Sequence, residues 1–233
     1  MRHERLARYT ETQFREVFVE KLKKLTEDKH PVDKPTAPLL GGQPGSGKTT
    51  LHDIVVLRDR NTIIINADEF REHHPNIVAL SEKYRDTVPY TYQFSGEMTE
   101  ALIDRLSDER YNLVIEGTLR TAEIPERNAA LLKGKGYTVE LYVMAATAEQ
   151  SWQGTISRYK EMKRMGITPR ATQKDFHDMV VSVLPDNLGK LYEGKSFDRI
   201  RLYTRKKECI YDSEATPSIN PKSIIEAILI TTL

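Results

Sequence analysis

The sequence is short of cysteine and of any excess charge. The single cysteine, Cys209, excludes an internal disulfide framework and a multi-cysteine metal site, and it fits a reducing compartment. Lysine and arginine total 35 against 34 aspartate and glutamate, so the net charge of +1 gives no global field that would attract a nucleic acid. No apolar run approaches the roughly 20 residues of a membrane span, and the charged N-terminus has no signal-peptide core. We expect a cytoplasmic protein whose partners include neither a membrane nor a nucleic acid.

The sequence does contain enough apolar residues for a core, since 39% of its 233 residues are hydrophobic. This length suits a single compact domain over residues 1–233. Apolar β-branched runs alternate with segments of helical periodicity, which predicts an α/β fold with a mostly parallel central sheet of five or six strands flanked by helices. Ligands of such sheets bind beyond the carboxyl ends of the strands. The predicted strands cover residues 38–41, 62–65, 111–116, 137–144, 197–203 and, as a short sixth strand, 209–211.

Two helical regions lie outside this simple alternation. An N-terminal helical region covers 10–27, and its apolar stripe between 10 and 25 either packs on the core or forms a contact surface for a partner. A lid-like helical region covers 148–195, where Gly166 and Pro169 should break the helix before it resumes at 172. The other predicted helices follow the first strand as far as about 57 and cover 91–106, 125–133 and 221–230.

Residues 42–49, GQPGSGKT, match the phosphate-binding loop pattern G-x-x-x-x-G-K-[ST] at every required position, after an apolar strand and before a helix. In this motif the glycines let backbone N–H groups surround phosphate oxygens, the lysine reaches the β- and γ-phosphates, and the last hydroxyl ligates Mg²⁺. Lys48 and Thr49 hold these two positions. We therefore expect ATP or GTP to bind with Mg²⁺. The predicted nucleotide-binding residues are Gly42, Gln43, Pro44, Gly45, Ser46, Gly47, Lys48, Thr49 and Thr50.

Signatures of other P-loop classes are missing. No Asn-Lys-x-Asp stands anywhere in the sequence, which excludes the usual guanine-reading element of a switch GTPase. The residues 41–43, GGQ, belong to the P-loop itself and are not the separate signature of a transporter ATPase. At 233 residues the chain is also short for a ring-forming ATPase with a helical lid domain. A compact kinase for a small acceptor remains.

Carboxylates follow two of the predicted strands, where a kinase would place a group that deprotonates the acceptor hydroxyl. Asp68 comes shortly after the strand at 62–65. It could be the base that deprotonates the acceptor, a metal ligand, or simply the N-cap of a helix. Glu116 ends the next strand, where it either orders a Mg²⁺-bound water or an acceptor hydroxyl, or is a buried structural carboxylate. Thr118 and Arg120 follow directly and should point toward the same crevice.

Arginines of the lid-like region are candidates for stabilising the migrating phosphoryl group, on which negative charge builds. Arg158 and Arg170 would be about 18 Å apart on one straight helix and could not converge. A break at Gly166 and Pro169 would let both guanidinium groups reach the γ-phosphate. The alternative is that these arginines and their basic neighbours form a solvated face.

Four segments in this order resemble the zeta toxin family. They are the P-loop, residues 66–75 (NADEFREHHP), residues 115–121 (IEGTLRT) and residues 169–172 (PRAT). The resemblance runs from about residue 10 to the end of the chain. It implies ATP-dependent phosphorylation of the 3′-hydroxyl of the amino sugar of UDP-N-acetylglucosamine, a product that stalls cell-wall precursor synthesis. It also implies a protein antitoxin that covers the nucleotide site.

The resemblance assigns roles to individual positions. Lys48 and Thr49 would hold ATP and Mg²⁺, Asp68 would be the base on the sugar hydroxyl, and Arg158 and Arg170 would stabilise the transferring phosphoryl group. Further positions match the family's acceptor pocket. They are Glu100, Glu116, Thr118 and Arg120.

The sequence departs from the family pattern at residues 66–67, where some relatives carry other small or acidic residues before the catalytic aspartate. The loop between Arg158 and Arg170 is also short, and neither departure removes a chemical group that the mechanism needs. Several other functions remain open: a kinase of another sugar nucleotide, nucleoside or dinucleotide, a nucleotide-gated binding module without kinase activity, and, less favoured by the charge balance, a polynucleotide kinase. His73 and His74 are not expected to bind a metal, because no third ligand stands at suitable spacing.

Overall fold

The computed structural model describes residues 5–84, 86–166 and 171–230. Its strands are β1 Thr36–Gly41, β2 Thr62–Asn66, β3 Asn112–Glu116, β4 Thr138–Met144, β5 Arg199–Tyr203 and β6 Cys209–Asp212. The main helices are α1 Glu11–Thr26, α2 Thr49–Arg58, α3 Ala67–Phe70, α4 Ile77–Lys83, α5 Val88–Asp108, α6 Glu123–Gly134, α7 Ala148–Arg164, α8 Lys174–Glu193 and α9 Pro221–Ile230, with a 3₁₀ turn at Arg71–His73. Within these ranges no helix has the length and apolarity needed to cross a bilayer.

The six strands form one sheet in the order β2-β3-β1-β4-β5-β6. Strands β1 to β5 pair in parallel, and only β6 runs antiparallel, at the edge beside β5. The predicted α/β class with a mostly parallel sheet is therefore confirmed. Because the strands are parallel, the carboxyl ends of β2, β3 and β1 lie side by side at one end of the sheet.

Successive residues of β1 face opposite sides of the sheet, and both sides are covered. Leu39 belongs to the main core, which packs under α5, α6, α8 and α9. Leu40 belongs to a smaller core with Leu51 and Val55 of α2. Helix α2, which begins at the P-loop, is thus fixed to one face of the sheet by its own apolar side chains.

The N-terminal helix α1 packs its apolar stripe on the main core. Phe14, Val17, Phe18 and Leu22 are partly buried against it, which is the core-packing alternative of the sequence analysis. The opposite side of α1 exposes Val19. Thr10 caps the helix through a reciprocal capping box with Gln13, as the sequence predicts.

Several element boundaries differ from the sequence prediction by one to three residues; helix α5 begins at Val88 rather than 91, and strand β5 begins at Arg199 rather than 197. Strand β1 begins at Thr36, two residues before the predicted start at Pro38. Proline normally marks a strand end because it lacks an N–H, but Asn112 accepts the Thr36 N–H at 2.8 Å and extends the strand through Pro38. A larger difference lies between residues 67 and 83, where α3, a 3₁₀ turn and α4 form. The only helix anticipated there is the one implied by the N-cap alternative for Asp68.

The predicted interruption of the lid-like region is partly described. Helix α7 ends at Arg164, Gly166 has the positive φ of 71° typical of a helix stop, and α8 begins at Lys174. Pro169 and Arg170 lie outside the described residues.

Candidate active site

The P-loop connects the end of β1 to the start of α2, and its shape depends on glycine. Gly42, Gly45 and Gly47 have φ values of 139°, 74° and 98°, which other residues rarely adopt. Gly45 also needs its missing side chain for space, because a Cβ there would approach the Thr155 amide nitrogen of α7 to 2.6 Å. The loop is therefore wound tightly and pressed against α7.

Lys48 is the buried cation of the loop. Its ammonium group donates to the carbonyl oxygens of Gly42 at 3.0 Å and Gln43 at 3.4 Å. Burial lowers the pKa of Lys48, while the charges of Glu116 and Asp68 act in the opposite direction and Arg158 adds to the lowering. These four charged groups are thus close enough to influence one another.

Glu116, at the end of β3, is the centre of a polar cluster. Its Oε1 lies 3.9 Å from Lys48 Nζ, and its Oε2 accepts from Asn66 Nδ2 at 3.2 Å. His52 Nε2 of α2 lies 3.0 Å from Oε2. Burial alone would raise the pKa of Glu116, but His52 and Lys48 outweigh it and hold the pKa below its ordinary value. The side chain is therefore a carboxylate at neutral pH.

Asp68 follows β2, at the second position of α3. The N-cap interpretation of Asp68 is wrong, because the cap is Asn66, whose Oδ1 accepts from the Asp68 N–H at 3.0 Å. Arg71 donates from Nε to Asp68 Oδ1 at 3.0 Å and from Nη1 to the Val88 carbonyl at 3.5 Å. The Asp68 carboxylate is partly exposed, with 46% of its side chain accessible, so it lies within reach of a bound molecule.

Arg158 projects from α7. It donates from Nη2 to Thr172 Oγ1 at 3.4 Å, and its buried Nε has no hydrogen-bond partner among the described residues. Its charge acts on Lys48. Arg170 lies outside the described residues, so the convergence of Arg158 and Arg170 on one phosphate stays a prediction.

The remaining acceptor candidates are placed less tightly. Thr118 is half-buried beyond β3, and the Arg120 guanidinium stands 5.9 Å from the ring centre of Phe176 in α8. Glu100 on α5 is 63% exposed and pairs with Arg127 at 2.5 Å. No contact between Glu100 and the Lys48–Glu116 pair is present in the part of the chain that the structure describes.

The residues present fit a nucleotide with Mg²⁺. Ser46 Oγ and Gln43 Oε1 are buried in the P-loop and have no partner among residues 5–84, 86–166 and 171–230. Thr49 exposes its side chain at the first position of α2, beside Lys48. The same ranges contain no group of three His, Cys, Asp or Glu residues that could hold a metal by themselves.

Three contributors to the site were not found from the sequence. His52 is four residues after Lys48 on α2, so helical spacing alone could have indicated it. Asn66 ends β2, and Arg205 follows β5 by two residues and donates to the P-loop carbonyl oxygens of Gly45 and Ser46. Asn66 and Arg205 both lie at the carboxyl ends of parallel strands. The expectation that ligands bind at these ends, which identified Asp68 and Glu116, could also have identified them.

The sheet order, the P-loop and the carboxylates at neighbouring strand ends define a P-loop protein of the kinase-like class. Comparison with known proteins gives the family. The Zeta toxin family model matches residues 19–216, and the chain belongs to this family.

The similar proteins agree with this assignment. The chain is 45% identical over 224 residues to toxin zeta of Streptococcus pyogenes, covering 95% of this chain and 78% of that protein. It is 44% identical over 209 residues to toxin PezT of Streptococcus pneumoniae, covering 88% and 83%. The resemblance found in the sequence is confirmed.

Solved structures support the fold. A chain from the PezAT chromosomal toxin-antitoxin system of S. pneumoniae superposes with a TM-score of 0.89 at 37% identity, covering 98% of this chain and 90% of that one. The AvrRxo1-ORF1:ORF2 complex with ATP superposes with a TM-score of 0.57 at 16% identity, covering 99% and 74%, and this match concerns the fold alone.

Proposed function

We propose that the protein is an ATP-dependent kinase that phosphorylates the 3′-hydroxyl of the amino sugar of UDP-N-acetylglucosamine and acts as the toxin of a toxin-antitoxin pair. The observation that carries the kinase proposal is the meeting of Lys48, Glu116 and Asp68 at the carboxyl ends of β1, β3 and β2. Lys48 and Glu116 are 3.9 Å apart, and the charge of Asp68 acts on both. In this proposal the cation for phosphate follows β1 and the base for a hydroxyl follows β2, the two strands that flank β3.

Each residue has a chemical role in this proposal. Lys48 and the P-loop N–H groups bind the polyphosphate, and Thr49 ligates the Mg²⁺ ion, which when bound neutralises phosphate charge. Asp68 accepts the proton of the acceptor hydroxyl while the hydroxyl oxygen attacks the γ-phosphorus of ATP and ADP leaves. Arg158 balances the charge that develops on the moving phosphoryl group, and Arg170 has the same role in the proposal.

The choice of acceptor rests on family membership. The zeta toxin resemblance implies UDP-N-acetylglucosamine, and it assigns the acceptor pocket to Glu100, Glu116, Thr118 and Arg120. An antitoxin partner is supported by the PezT relative and by the solved PezAT toxin-antitoxin chain that superposes on this one.

The test is mass spectrometry of UDP-N-acetylglucosamine incubated with Mg-ATP and the purified protein. We expect a gain of one phosphate, and none with Lys48→Ala or Asp68→Asn; NMR of the product then gives the position on the sugar. A product with another sugar nucleotide, nucleoside or dinucleotide, but none with UDP-N-acetylglucosamine, would contradict the proposed acceptor and leave the kinase. ATP binding without product from any acceptor would contradict the kinase and favour a nucleotide-gated binding module.

A further inference from the structure

Arg205, in the turn between β5 and β6, binds the outer side of the P-loop. Its Nε donates to the carbonyl oxygen of Ser46 at 2.9 Å. Its Nη2 donates to the carbonyl oxygens of Gly45 at 2.6 Å and of Gln150, in α7, at 2.9 Å. One guanidinium group therefore holds two successive P-loop peptides and the first turn of α7 together.

The direction of these carbonyl groups fixes the direction of the N–H groups. In a planar trans peptide the C=O and the following N–H point opposite ways, and no described peptide bond is cis. With its carbonyl held by Arg205, the Gly45–Ser46 peptide turns its N–H inward, where Ser46 donates to Gln43 at 3.1 Å and closes the loop. The Ser46–Gly47 peptide likewise directs the Gly47 N–H away from Arg205. This is the orientation that a phosphate-binding loop needs.

The contact with α7 has no spare room. A Cβ on Gly154 would lie far inside van der Waals distance of the Gly45 carbonyl oxygen and 3.1 Å from Arg205 Nη2. The absence of a side chain at Gly154 thus lets Arg205 reach both partners at once. Because α7 also carries Arg158, the position of the helix relative to the P-loop decides where that second guanidinium stands.

Arg205 stands at an exposed position of the turn and has no carboxylate partner among the described residues. Its hydrogen-bond acceptors are backbone oxygens, and the described residues provide no ion pair for it, in contrast to Arg199, which binds Asp212 at 2.5 Å. Burial lowers the pKa of Arg205, and no neighbouring charge among those residues raises it. A positive charge that no carboxylate neutralises, on the carbonyl side of the P-loop, attracts a negatively charged ligand to the N–H side of the loop.

We propose that Arg205 is a positioning residue for the triphosphate: it orients the Gly45–Gly47 peptides, ties α7 to the P-loop and adds uncompensated positive charge to the phosphate site. This inference rests on the nucleotide part of the proposed function. It does not depend on the acceptor.

The test measures the dissociation constant of Mg-ATP by calorimetry, without acceptor, for the wild type, Arg205→Gln, Arg205→Lys and a matched control. The control, Lys206→Gln, removes the same charge from the adjacent, exposed position of the same turn. We expect Arg205→Gln to weaken Mg-ATP binding at least about tenfold, because hydrogen bonds from a charged donor are lost. Arg205→Lys should recover part of this, since lysine keeps the charge but not the planar fork. Lys206→Gln should change binding less than about twofold, as is usual for a surface position.

A second variant, Gly154→Ala, tests the contact between α7 and the P-loop. Alanine favours a helix interior over glycine by roughly 0.8–1.0 kcal/mol, so this change should not unfold α7, but its methyl group forces α7 and the P-loop apart. We expect weaker Mg-ATP binding and a somewhat lower Tm, because the close contact with the Gly45 carbonyl outweighs the gain in helix propensity. If UDP-N-acetylglucosamine is a substrate, both changes should raise the KM for ATP and leave the KM for the sugar nucleotide unchanged.

The outcomes distinguish the two proposals. Wild-type affinity in Arg205→Gln, with native Tm, would overturn the role of Arg205 while ATP binding stands. Mg-ATP binding by the wild type without product from any acceptor would overturn the kinase proposal and leave Arg205 tested by the affinities alone. An absence of Mg-ATP binding by the wild type would overturn both.

Discussion

The side-chain amide of Asn66 connects Glu116 to the backbone of Asp68. Its Nδ2 donates to Glu116 Oε2 at 3.2 Å, and its Oδ1 accepts from the Asp68 N–H at 3.0 Å. A backbone N–H can only donate and a carboxylate can only accept, so asparagine satisfies both in one orientation. The two carboxylates proposed for the acceptor side are thus held in a fixed relation by one residue.

The first prediction separates the two bonds of Asn66. Serine at this position still caps α3 but cannot reach Glu116, so Asn66→Ser should lower kcat by about tenfold, the effect of one lost bond to a charged group, with little change in Tm. Asn66→Asp also caps, but it places a second carboxylate beside Glu116 and should lower kcat further. Asn61→Ser, just before the start of β2, is the control. Among the described residues Asn61 binds His30 and Asp59, far from the P-loop end of the strand, so this change should affect stability alone. Equal kcat values for all three variants would contradict a role for the Asn66 amide.

The second prediction concerns the proposed base. Asp68→Asn keeps the shape of the side chain and its place beside Arg71 but removes the carboxylate that accepts the proton. Turnover should therefore fall by about 10²–10⁴-fold, while Mg-ATP binding persists. Glu69→Gln, an exposed carboxylate-to-amide change one residue away, should leave turnover near the wild-type value. Near-normal turnover in Asp68→Asn would show that another group takes the proton.

The third prediction is a pH dependence of stability. Hydrogen bonds from Arg199 lower the pKa of Asp212 from 3.8 to about 2. A depressed pKa stabilises the fold above the unfolded-state value, and this contribution is lost as the pH falls from about 4 to about 2. Asp212→Asn should therefore be less stable than the wild type at pH 7, and the difference should shrink as the pH falls through this window. Urea unfolding at several pH values measures it, with the exposed Asp175→Asn as control.

A difference between wild type and Asp212→Asn that stayed constant from pH 7 to pH 2 would mean that charge is not the source of the stabilisation.

The fourth prediction concerns the joint between α7 and α8. Ser151 Oγ lies 2.9 Å from His177 Nε2, and both side chains are buried. Ser151→Ala leaves the ring nitrogen unpaired in the interior and should lower the free energy of unfolding by about 1–3 kcal/mol in urea titrations. Ser182→Ala, which removes a hydroxyl bound only to its own helix at the Met179 carbonyl, should stay within about 0.5 kcal/mol of the wild type. Similar midpoints for the two variants would show that the Ser151–His177 bond contributes nothing net.

The P-loop and the strand-end carboxylates were predictable because their chemistry is local in sequence. Lys48 must follow the glycine turn at fixed spacing, and Asp68 and Glu116 must follow buried strands if they are to reach the edge of the sheet. The resemblance to the family rests on the same short segments.

The links between these residues were not predictable, because they depend on which strands are neighbours. The Asn66–Glu116 hydrogen bond requires that β2 lie beside β3. The hydrogen bond from Arg205 to the Gly45 carbonyl requires that the turn after β5 lie against the P-loop and α7. Short elements were missed for a different reason. The four-residue helix α3 is defined by its Asn66 cap and by the burial of Phe70, and it is too short to show a helical period.

Strand β1, which carries the P-loop, divides the binding groups into two sets. Asp68, Glu116, Thr118 and Arg120 follow β2 and β3 on one side of it, whereas Arg205 follows β5 on the other. Apart from Glu116, which pairs with Lys48, the acceptor-side positions can therefore change without altering the contacts of the P-loop. A scaffold arranged in this way can diversify the molecules it modifies over evolutionary time while inheriting its phosphate donor unchanged.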